Sequence, residues 1–126
     1  MSKVLVVEDE VAIIRLYQLH FRRNGIEGFF FDRVKPAIKE LDSIVPDVAV
    51  LDVDLPDGVG LQVLEALKAS SVCKEVPVIF VTSRFKPSVE MELKEAGAVE
   101  VIGKPFSPVK LVQHIKTLLN KDIEGK

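Results

Sequence analysis

Five short apolar runs punctuate the chain: Lys3-Val-Leu-Val-Val7, Gly28-Phe-Phe-Phe31, Asp47-Val-Ala-Val-Leu51, Pro77-Val-Ile-Phe-Val81 and Val99-Glu-Val-Ile102. Most are continuous and do not alternate with polar residues, which is the pattern of strands covered on both faces. Between them apolar residues recur at helical spacing: Ile14, Tyr17 and Phe21; Leu61, Leu64 and Leu67; Val112, Ile115 and Leu119. The boundaries carry matching punctuation. Gly25 and Gly97 suit helix C-termini, and Ser107-Pro108 reads as an N-cap followed by proline at the first helical position.

Strand and helix therefore alternate five times. This predicts an α/β domain: a five-stranded parallel sheet with right-handed crossovers and helices on both faces, a flavodoxin-like (βα)5 three-layer sandwich. If the strand order is 2-1-3-4-5, strands one and three are neighbours, and functional groups collect beyond the carboxyl ends of the strands near that switch in order. The length of 126 residues suits one such domain. Residues 1–120 are read as the domain and 121–126 as a polar tail or the start of a linker.

Composition narrows the function classes. With 48% hydrophobic and 29% charged residues, and no apolar run approaching about 18 residues, nothing is expected to cross a membrane. Glu8, Asp9 and Glu10 interrupt the apolar start at once, unlike a secretory leader, so a cytoplasmic location is expected. A net charge of −2 gives no electrostatic reason for nucleic-acid binding. The single cysteine, Cys73, has no partner for a disulfide and reads as a packing residue.

The residues at the strand ends carry the chemistry. Glu8 and Asp9 follow the first run, Asp52 the third, Thr82 the fourth and Lys104 lies just beyond the fifth, while the second ends in Asp32, outside the group. Three carboxylates gathered at the switch point raise one another's pKa unless a cation compensates, and a hard divalent ion with oxygen ligands, Mg²⁺, suits them better than zinc. His20 and His114 sit inside helical patterns away from this edge. A carboxylate is a competent nucleophile toward phosphorus, and Asp52 is the best placed. Lys104 supplies a fixed positive charge and Thr82 a hydroxyl donor for phosphoryl oxygens.

With these residues in view, the chain resembles the response-regulator receiver family over nearly its whole length. Val7-Glu8-Asp9-Glu10 is similar to that family's acidic pair, and Val50-Leu51-Asp52-Val53-Asp54-Leu55-Pro56, with Gly60 beyond, to its phosphoacceptor block. Val81-Thr82-Ser83 and Lys104-Pro105-Phe106 are similar to its switch hydroxyl and its Lys-Pro-Phe motif. The resemblance implies a phosphoacceptor signalling domain, not an enzyme with an external substrate, phosphorylated on Asp52 by a sensor histidine kinase, a phosphotransfer protein or a small phosphodonor. It implies side-chain metal ligands in Asp9 and Asp52, a backbone-carbonyl ligand in Asp54, and help from Glu8; Mn²⁺ should be able to substitute for Mg²⁺. Backbone N–H groups of Asp54 and Ser83 are implied as further donors to the phosphoryl oxygens. Asp54 and Arg84 are expected to reach one another beside the path of the hydrolytic water. Output to a further domain or a homodimer is implied through the face of the fourth helix, fifth strand and fifth helix.

Three positions depart from the family pattern. Val101 stands where an aromatic residue or histidine is common, Ser83 where alanine or glycine is common, and Asp57-Gly58-Val59 replaces the usual glycine and aspartate arrangement. Asp52-Val53-Asp54 is also similar to the nucleophile motif of haloacid-dehalogenase-type phosphatases, but there the nucleophile comes before the other metal ligands, whereas here the acidic pair comes first. A pseudo-receiver that only binds a partner is opposed by the intact set Asp9, Asp52, Thr82 and Lys104.

Overall fold

Each long strand has an apolar layer on both sides, which is why its run reads as continuous. The computed structural model describes residues 2–124, with side-chain surroundings through Asn120. The elements are β1 (Ser2–Val7), α1 (Val11–Arg23), β2 (Ile26–Phe31), α2 (Val34–Ile44), β3 (Val48–Asp52), β4 (Asp54–Leu55), β5 (Gly58–Val59), α3 (Gly60–Ala69), β6 (Val78–Thr82), α4 (Pro87–Ala96), β7 (Glu100–Gly103) and α5 (Pro108–Glu124). Five strands form one sheet in the order β2-β1-β3-β6-β7, with every neighbouring pair parallel. This is the predicted 2-1-3-4-5 order; the numbering differs because a two-residue antiparallel hairpin, β4-β5, lies between β3 and α3. Helix α5 continues to Glu124, within the segment read as a tail; Gly125, Lys126 and the side chains from residue 121 onward lie outside the described residues.

Alternate residues of the central strands feed opposite layers. Leu5, Val7, Ala49, Leu51, Val78 and Phe80 pack with α2, α3 and α4 through residues such as Leu41, Leu67 and Leu93. Val4, Val6, Val48, Val50, Ile79 and Val81 pack with α1 and α5 through Tyr17, Phe21, Leu111 and Ile115. Truncating one of the large buried side chains, such as Leu51 or Ile79, to alanine costs about 2–5 kcal/mol, so the strand ends are held on a rigid frame. Cys73 is part of this packing, fully buried with its Sγ 3.5 Å from the Leu41 carbonyl.

The predicted punctuation is in place. Gly25 and Gly97 adopt φ of 66° and 121°, values that cost L-residues energy. The Ser107 Oγ accepts the Lys110 N–H at 3.2 Å, capping α5 ahead of Pro108. Helix α2 has no such signal: it ends on Val45 at φ 47°, a β-branched residue in the left-handed region. At Gly60 a Cβ would overlap the Asp52 carbonyl oxygen, so the close approach of α3 to the end of β3 requires glycine.

The departure at Asp57-Gly58-Val59 has a structural consequence. Val59, the N-cap of α3, has no side-chain acceptor, and Gln62 instead accepts the Val59 N–H at 2.8 Å. The acidic side chain, shifted to Asp57, caps a different helix: its oxygens accept the N–H groups of Val34 at 2.7 Å and Lys35 at 3.0 Å. Helix α2 is thus tied to the hairpin that follows Asp52, since its own N-cap, Arg33, makes no side-chain cap. The Lys35 N–H, followed by that of Val34, holds the Asp57 carboxyl below its ordinary value. A lowered folded pKa contributes stability that is present above the unfolded value and disappears as pH falls through the folded one. Asp57→Asn is therefore expected to lower Tm at pH 7 by a few degrees. The deficit should shrink as melts are taken from about pH 4 down through the lowered folded pKa, below which the wild-type side chain is also neutral; a pH-independent deficit would speak against the cap.

Candidate functional site

The three buried polar side chains of the described core, Glu8, Asp52 and Thr82, are 2%, 8% and 1% exposed. All three stand at the carboxyl ends of adjacent strands. Asp52 and Thr82 are the last residues of β3 and β6, and Glu8 continues β1, its N–H donating to the Phe31 carbonyl at 2.9 Å. Lys104, one residue beyond β7, is oriented by its N–H bond to the Thr82 carbonyl at 2.8 Å. Its ammonium reaches back to Glu8 Oε1 at 2.8 Å, Asp52 Oδ2 at 3.0 Å and Glu10 Oε1 at 3.2 Å.

Oxygens of Glu8, Glu10 and Asp52 lie within 4.8 Å of one another. The structure does not bring Asp9 into this trio. Asp9 and Glu10 are both exposed, and Glu10 is the one whose carboxylate oxygen lies with those of Glu8 and Asp52. A bond from the Glu10 N–H to Glu8 Oε2 at 3.0 Å fixes the pair.

Three carboxylates thus face one ammonium, a local balance of −3 + 1 = −2. Burial alone would lower the Lys104 pKa, but its bonds to Glu8 and Asp52 outweigh that and hold it above the ordinary lysine range. Glu8 is the reverse: burial raises its pKa, Lys104 and the Glu10 N–H offset this only in part, and the Asp52 charge raises it further. One cation shared among three anions leaves the buried carboxylate under-compensated. An all-oxygen, doubly negative cluster of this kind fits a hard divalent cation.

The remaining predicted residues surround this centre. The Thr82 Oγ1 accepts the Arg84 N–H at 3.0 Å, which leaves its own proton free to donate. Asp54 and Arg84 form a bidentate pair, Nε to Oδ2 at 2.8 Å and an Nη to Oδ1 at 3.0 Å, with both side chains more than half exposed. Ser83 is exposed beside Thr82, and Val101 is buried in the layer of α2, α3 and α4. His20 and His114 lie on α1 and α5, outside the acidic trio.

A parallel sheet whose strand ends gather buried carboxylates, a hydroxyl and a bridging lysine is the arrangement of a phosphoacceptor module, and the comparisons with known proteins agree. The family profile described as "Response regulator receiver domain" matches residues 4–116, and the chain belongs to that family. It is 34% identical over 119 residues to the phosphate regulon transcriptional regulatory protein PhoB of Escherichia coli (strain K12), covering 94% of this chain and 52% of PhoB. It is 31% identical to the KDP operon transcriptional regulatory protein KdpE of the same organism, covering 96% and 52%. The chain thus spans about half the length of these curated relatives. Among solved structures it is similar to the chemotaxis response regulator CheY4 of Vibrio cholerae, at 26% identity, TM-score 0.86 and coverage of 94% and 98%. It is also similar to a beryllofluoride-activated NtrC4 receiver domain dimer, at 28% identity, TM-score 0.87 and coverage of 96% and 98%.

Proposed function

We propose that this receiver domain accepts a phosphoryl group on Asp52 in a reaction that requires Mg²⁺ or Mn²⁺. The donor is a sensor histidine kinase, a phosphotransfer protein, or a small molecule such as acetyl phosphate. The observation that carries this reading is the Lys104 ammonium bridging Asp52 and the buried Glu8 at 3.0 and 2.8 Å, with the Thr82 hydroxyl at the next strand end.

Lys104 engages Asp52 through Oδ2, which leaves the other carboxylate oxygen free to attack. That oxygen forms the new P–O bond while the donor's bond to phosphorus breaks and its electron pair leaves with the donor, as acetate from acetyl phosphate or as an imidazole nitrogen that takes a proton from water. Glu8, Glu10 and Asp52 offer side-chain oxygens to the cation, and by family resemblance Asp9 and the Asp54 carbonyl belong to the same set. When bound, the cation neutralises charge on the phosphoryl oxygens. Lys104 and the Thr82 hydroxyl then take phosphoryl oxygens, assisted by the N–H groups of Asp54 and Ser83. The domain promotes only its own phosphorylation and dephosphorylation. It passes the signal to an output domain or a second copy across the face of α4, β7 and α5, where Phe85, Met91 and Val109 are 45%, 62% and 57% exposed.

Acetyl phosphate with Mg²⁺ should add one acid-stable, base-labile phosphoryl group, and Asp52→Asn or EDTA should abolish it. Labelling of Asp52→Asn at the wild-type rate would place the nucleophile elsewhere.

The Asp54–Arg84 pair lies over the route of an in-line water. An exposed pair of this kind contributes roughly 0.2–1 kcal/mol, so breaking it should accelerate autodephosphorylation by no more than about fivefold. In a double-mutant cycle, Asp54→Ala and Arg84→Ala should be non-additive; additive effects would mean that the pair does not act as a gate.

A further inference from the structure

Val101 leaves the usual switch position without a ring, but a ring does reach the site from the opposite face of the sheet. Tyr17, near the middle of α1, is 3% exposed. It stacks on Phe106 with ring centroids 5.5 Å apart and planes at 20°. On its other side it meets Phe21 at 5.7 Å and 48°, and Phe21 meets Phe30 at 5.9 Å and 31°. An unbroken line of rings therefore runs from edge strand β2, through α1, to the segment between β7 and α5.

That segment carries Lys104. Its beginning is held by the Lys104 N–H bond to Thr82 and its end by the Ser107 cap of α5. Between these anchors the half-buried Phe106 has the Tyr17 ring as its stacking partner. Burial first, then the charges of Glu8 and Asp52, raise the pKa of the Tyr17 phenol. The hydroxyl is thus neutral and lies within the field of the acidic cluster.

We propose that Tyr17 is a positioning residue of the phosphoacceptor site: its ring holds Phe106, and through Phe106 the segment that aims Lys104, so the stack registers whether the site is phosphorylated. The inference rests on the phosphoacceptor reading above. When Lys104 leaves Glu8 and Glu10 for phosphoryl oxygens, the segment it shares with Phe106 is expected to re-seat that ring against Tyr17. The aromatic element that senses the site then faces α1 and α5, on the opposite side of the sheet from the layer that holds Val101.

The chain has one tyrosine and no tryptophan, so tyrosine emission reports on Tyr17 alone. On labelling with acetyl phosphate and Mg²⁺, the emission of the wild type should change and that of Asp52→Asn should not. At saturating acetyl phosphate, Tyr17→Leu should lower the labelling rate constant roughly three- to tenfold. Tyr17→Phe, which keeps the ring, should restore it to within about twofold. A purely structural role would lower the fraction of protein labelled and leave the rate constant of the folded fraction alone. Should Tyr17→Leu fail to fold, Phe106→Leu removes the other ring and should show the same loss. Emission that ignores labelling, or a wild-type rate constant in the ring-deleted variant, overturns the proposal while the phosphoacceptor reading stands. A wild type that takes no label overturns both.

Discussion

One ammonium shared by three carboxylates is the interaction on which this site depends. Lys104 lies 2.8, 3.0 and 3.2 Å from Glu8, Asp52 and Glu10, and no arrangement of one positive charge balances three negatives. Two like charges within 4.8 Å repel by about 3 kcal/mol at an effective dielectric near 20. The protein therefore holds a standing deficit of positive charge at the end of β3. A divalent cation removes it, and an incoming phosphoryl group re-divides it, drawing Lys104 away from the carboxylates.

The fold makes such an arrangement tolerable. Burying Glu8 and Asp52 is costly, and it is sustained because β1, β3 and β6 are packed on both faces by layers that share no side chain. The strand ends cannot spread to relieve the repulsion. Gly60 brings α3 against the Asp52 carbonyl, and Asp57 ties the following hairpin to α2. The phosphoacceptor is thereby tied to elements on both sides of it, a condition for a switch that repacks discretely.

Much of this was legible in the sequence. Continuous apolar runs read as buried strands because both faces are covered, and the residues just beyond four of the five runs placed Glu8, Asp52, Thr82 and Lys104 at one edge. The Asp54–Arg84 pair was legible too, because each lies two residues beyond a strand-end residue on neighbouring strands. What was not legible turns on single-residue geometry or distant pairing. That the Glu10 carboxylate joins those of Glu8 and Asp52 depends on where one exposed side chain reaches, and composition carries no trace of that. Strands β4 and β5 are two residues long and have no periodicity. Val45 takes the left-handed conformation without the glycine that would announce it. Asp57 caps a helix that starts 23 residues earlier, and Tyr17, which helical spacing marks only as a core position, meets a ring from the far end of the chain.

Whether Lys104 and the divalent cation compensate the same negative charge is read by titrating Mg²⁺ calorimetrically into the wild type and Lys104→Met, alongside acetyl phosphate labelling of both. With the ammonium removed, the cluster is more negative. Lys104→Met is expected to bind Mg²⁺ several-fold more tightly while its labelling slows by about a hundredfold or more. Weaker Mg²⁺ binding in a folded Lys104→Met, or labelling at the wild-type rate, would contradict it.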